Sequence, residues 1–101
     1  MPSAERMASL SGCSDYPDGV MVRSEFDATF DSLARVQPWM DKGQKTSARG
    51  FARLGKLFHR EYGEDLAAYR CDTNRYGEVM IYFLGAGSDG LSGLMTINIE
   101  T

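Results

Sequence analysis

Arg49, Arg53, Lys56 and Arg60 follow one another at intervals of four, three and four residues. At about 100° per residue they share one narrow stripe of a single helix. The chemistry open to such a stripe is the capture of an anion, whether a phosphate backbone or an acidic protein surface. Lys42 and Lys45 extend it, so that the segment from Lys42 to Arg60 holds six of the chain's 11 Lys and Arg and no Asp or Glu. The same helical turns place Phe51, Leu54, Phe58 and Tyr62 on the opposite side, as a face to be buried. Like charges at this spacing repel one another by tenths of a kcal/mol per pair. That cost calls for an offset, from Glu61, Glu64, Asp65, the acids of a preceding helix, or a partner.

Other reactive residue types lack the context their chemistry needs. His59, Cys71 and Asp72 could furnish a base, a nucleophile and an acid, but no local motif supports those roles. There is no paired-cysteine motif and no second histidine, so neither metal nor cofactor is expected. Asp15 and Asp18 before Gly19 read as turn residues rather than a calcium loop. Gly85-Ala86-Gly87-Ser88-Asp89-Gly90 has the spacing of a dinucleotide fingerprint, yet that motif must open a helix and only 11 strand-like residues remain. A glycine-rich hairpin connection from Gly85 to Gly93 is expected instead.

At 101 residues, with 43% hydrophobic and 25% charged residues, the chain has the size and composition of a single small globular domain, not of a disordered one. A net charge of −3 disfavours a general nucleic-acid coat protein while leaving room for a local basic face. No apolar run approaches a membrane span, and the first residues do not resemble a signal peptide. Cys13 and Cys71 are read as reduced thiols in a cytoplasmic protein, because two cysteines without a spaced framework do not make a disulfide scaffold.

The elements that position the stripe follow from periodicity. Residues 1–19 read as a tail and turn, with a short helix from Pro2 and Ser3 through Leu10, then a short strand at Val20–Arg23. Ser24 is expected to cap a helix over Glu25–Val36 that buries Phe26, Phe30 and Leu33. Pro38 ends it, and Trp39 is expected as a lid on the core. Thr46 or Ser47 then caps the basic helix, which stops at Gly63. Beyond Leu66 the period falls to two. A strand bearing Tyr69 and Cys71, a turn at residues 72–77 and a central strand at Glu78–Leu84 precede a last strand whose buried face should be Met95, Ile97 and Ile99. The expected fold is α+β: two helices packed on a three- to four-stranded, mainly antiparallel sheet with a C-terminal β-meander.

Two functional readings follow. The first is a non-enzymatic binding protein, a small inhibitor or antagonist of the immunity or phage type. It would block an acidic protein or nucleoprotein with Lys42, Lys45, Arg49, Arg53, Lys56, Arg60, Arg75 and Tyr76. The alternative is a nucleic-acid-binding domain, with the basic helix for recognition and the Asn74-Arg75-Tyr76-Gly77 hairpin as a wing. About ten residues separate its two helices, where a helix-turn-helix uses three or four.

Overall fold

A computed structural model of the chain describes residues 1–16, 19–73, 77–88 and 90–99. Among the described residues, three helices and four strands follow in the order α1 (Ala4–Ser11), a 3-10 turn (Cys13–Asp15), β1 (Val20–Ser24), α2 (Phe26–Ala34), α3 (Lys42–Tyr62), β2 (Leu66–Asp72), β3 (Glu78–Gly87) and β4 (Gly90–Ile99). The strands form one antiparallel sheet in the order β1-β2-β3-β4, an α+β architecture.

Local chemistry explains the helix limits. Ser3 caps α1 by accepting from the Arg6 amide, and Gly12 ends it at φ 82°, a left-handed conformation that glycine adopts without cost. Glu25, one residue beyond the expected Ser24, caps α2 by accepting from the Asp27 and Ala28 amides. The basic helix begins at Lys42 rather than near Thr46. Asp41 and Gln44 close a reciprocal capping box there, with Gln44 N to Asp41 Oδ1 at 2.8 Å and Asp41 N to Gln44 Oε1 at 2.9 Å.

The two sheet faces carry different loads. Ala68, Phe83 and Leu94 lie side by side on the face covered by α2 and α3, where Phe26, Phe30, Phe58, Val79 and Ile81 complete the core. Phe30 is its hub, with its ring 4.5 Å from that of Phe83 and 5.2 Å from that of Phe26. Gly55 permits this approach, since a Cβ there would stand 3.1 Å from the Phe30 ring. The opposite face carries Tyr69, Tyr82 and Met95 in one row, and α1 covers only its β1–β2 side, through Met7 on Ala67 and Tyr69. The buried Tyr69 hydroxyl donates to the Pro2 carbonyl. Residues expected as a tail are therefore held against the sheet.

Several expectations are corrected here. Cys13 and Cys71 are not free thiols: they form a disulfide, with both residues fully buried. Trp39 is no lid, being 71% exposed on the connection between α2 and α3. On β4 the helix-facing residues are Leu94 and Thr96, while Met95 and Ile97 point to the open face and are 49% and 56% exposed. Most of the segment expected as a glycine-rich connection is strand, because β3 runs to Gly87, β4 starts at Gly90 and these two glycines are register partners.

Candidate functional site

The 21 residues of α3 span about 31 Å at 1.5 Å per residue. Phe58 is buried, Phe51 and Tyr62 half-buried, and Tyr62 lies across Gly85, where a Cβ would come within 2.2 Å of its ring. This anchoring turns Lys42, Arg49, Arg53, Lys56 and Arg60 out to solvent, with Lys45 partly covered. The structure thus brings together all six cations of α3 that the sequence singled out. Arg75 and Tyr76, and Asn74 with them, lie outside the described residues.

The expected offset for the crowded cations is largely missing. Arg60 approaches Glu61 at 3.8 Å, an exposed pair of small worth. Among the described residues no carboxylate comes within ion-pair distance of Lys42, Lys45, Arg49, Arg53 or Lys56. Asp27, the α2 acid aimed at α3, is engaged by His59 instead, with His59 Nε2 2.5 Å from Asp27 Oδ1. The hydrogen bond to Asp27 raises the His59 pKa above its ordinary 6.5; loss of solvent around the ring opposes the rise, and the Asp27 charge, the Gly63 backbone and the nearby Glu64 add to it. A histidine held this way ties two helices together.

Beside the basic stripe lies a feature the sequence concealed. Leu54 and Leu57, on the flank of α3 turned away from α2, are 37% and 40% exposed. With Ser47, Gly50, Phe51 and Arg53 they line a shallow, mainly apolar groove. Ser47 and Phe51 also line a second hollow reaching Leu33, Met40 and the exposed Trp39 at the start of α3. The period of α3 puts Leu54 on the buried face with Phe51, Phe58 and Tyr62, but the structure leaves it exposed at the edge of that face. Gly50 lies in the groove, and a Cβ there would meet nothing within 4 Å.

Among the described residues no group of three His, Cys, Asp or Glu side chains could hold a metal, and no helix is long and apolar enough to cross a membrane. Neither a scan of protein-family models nor a search of curated proteins gives a match to the chain. The site must therefore be read from its own geometry.

Proposed function

We propose that the chain is a non-enzymatic binding protein, an inhibitor or antagonist that occupies an acidic protein surface with the outer side of α3. The observation that carries this reading is the pairing of an uncompensated cationic ridge with an apolar shoulder. Arg49, Arg53 and Lys56 supply charge while Trp39, Leu54 and Leu57 supply desolvatable area, and exposed tryptophan with arginine is the composition of interface hot spots. A phosphate backbone would use the charges and leave the leucines idle, which favours a protein partner over nucleic acid. The disulfide supports a working compartment more oxidising than the cytoplasm expected from the sequence, since such bonds persist where surroundings are oxidising.

The test is a double reversal, Arg49→Glu/Arg53→Glu, in the full chain. Solvent-exposed changes of this kind alter stability by about 0.5 kcal/mol or less, so the variant should melt with the parent. Crosslinking in nuclease-treated source extract should capture a discrete acidic protein with the parent and lose it with the variant. Binding to a generic DNA duplex that falls steeply between two salt concentrations, with no nuclease-resistant capture, would move the assignment to nucleic acid.

A further inference from the structure

β4 is the sheet's long free edge. It runs ten residues, Gly90–Ile99, and contains no Lys, Arg, Asp, Glu or Pro. No further strand pairs with it among the described residues. Natural sheets protect such edges with charged side chains, proline, bulges or brevity, because unpaired amides and carbonyls are a template for another strand. The other edge, β1, is half as long and carries Arg23. β4 also fails to confine its apolar residues to the covered face, where Leu94 packs. Its polar Thr96 faces the helices, whereas Leu91, Met95 and Ile97 line the open side, next to the half-buried Met80, Tyr82 and Leu84 of β3. An apolar row turned to solvent on a strand that bears no charge is difficult to explain by the monomer alone.

We infer that β4 is a homodimer interface, in which two copies of this chain join edge to edge, antiparallel about a two-fold axis, into a continuous eight-stranded sheet. The free hydrogen-bonding groups define the occupant as an extended strand. The neutral, apolar outer row defines it further as one that brings no charge, and β4 meets both requirements itself. Although the chain carries a net charge of −3, approach along this strand brings no charged side chain of either copy's β4 against the other. Directly opposed residues of paired strands share a face, so Met95 and Ile97 of one copy would pack beside those of the other. The contact is isologous and uses β4 in both copies, which closes the assembly at two. The contact is argued from β4 alone and takes nothing from the basic face of α3.

Sedimentation velocity of the full chain over a range of concentrations tests this. The expected result is a concentration-dependent shift from 11.2 kDa to twice that mass. Met95→Lys/Ile97→Lys, which gives β4 the protection it lacks, should sediment as a monomer throughout while keeping the parent's circular dichroism and melting temperature. Val20→Lys/Val22→Lys on the exposed β1 edge should dimerise like the parent. A parent monomeric at every concentration, a dimer that survives the β4 lysines in a folded variant, or growth beyond two copies would each overturn the proposal.

Discussion

His59 Nε2 sits 2.5 Å from Asp27 Oδ1, joining the last turns of α3 to the first turn of α2 across 32 residues of sequence. The His59 ring also stands edge-on to Phe26, 5.7 Å between centroids, at the margin of the aromatic core. Because the folded state raises the His59 pKa above 6.5, the protonated form is the one that folding favours. The resulting stability is fully present below pH 6.5 and is lost as pH rises through the higher folded value. Melting temperature should therefore fall across that window in the parent, and the fall should be absent in His59→Gln.

The aromatic hub sets the scale of core damage. Phe30→Ala should cost about 3 to 5 kcal/mol, because the cavity would open among Phe26, Phe51, Phe58 and Phe83. Trp39→Ala should change stability by about 0.5 kcal/mol or less. Urea unfolding of the two variants measures the contrast, and comparable losses would show that Trp39 packs on the core.

The Cys13–Cys71 bond closes a segment with a sequence separation of 58 residues. Loop-entropy arguments give such a closure about 4 kcal/mol. Cys13→Ser/Cys71→Ser should lower the denaturation midpoint accordingly. In the parent, a reductant should reproduce the loss only slowly, since neither cysteine is accessible to solvent.

Two glycines should respond in opposite directions. Gly85→Ala places a methyl group against the Tyr62 ring and should cost about 1 to 3 kcal/mol by overpacking. Gly50→Ala adds a methyl in open space within a helix and should stabilise by about 0.5 to 1 kcal/mol. If the groove beside Gly50 is the docking surface, the same methyl will weaken partner capture even as the melting temperature rises.

Periodicity carried the reading of α2, α3 and the central strand a long way, because an apolar stripe or an unbroken apolar run has few ways to be buried. It was weaker where the answer depended on geometry between distant elements. Met95 and Ile97 alternate cleanly, but a period of two says only that they share a face; the pairing of Phe83 with Leu94 decides which face. The pairing of Cys13 with Cys71 depended on α1 and the 3-10 turn packing against the sheet, which no local pattern announced. The capping box at Asp41 and Gln44 was readable in principle, and Gly43 and the absence of apolar residues in that turn hid it. Of the candidate site, the cations are legible in the sequence, whereas Trp39 and Leu54 read as interior because an apolar side chain is ordinarily covered, and the period of α3 gives Leu57 no place on either face.

The 13–71 closure also changes what a protease would leave behind. The exposed connection at residues 35–41, with Trp39 at its crest, lies inside the covalent ring, as do β1, α2 and α3. A single cut there opens the ring without releasing a fragment, so the nicked chain would migrate as two pieces only after reduction. With the 3-10 turn and β2 still linked, β1 and α2 stay tethered to α3 and the other three strands at high effective concentration, ready to reassemble.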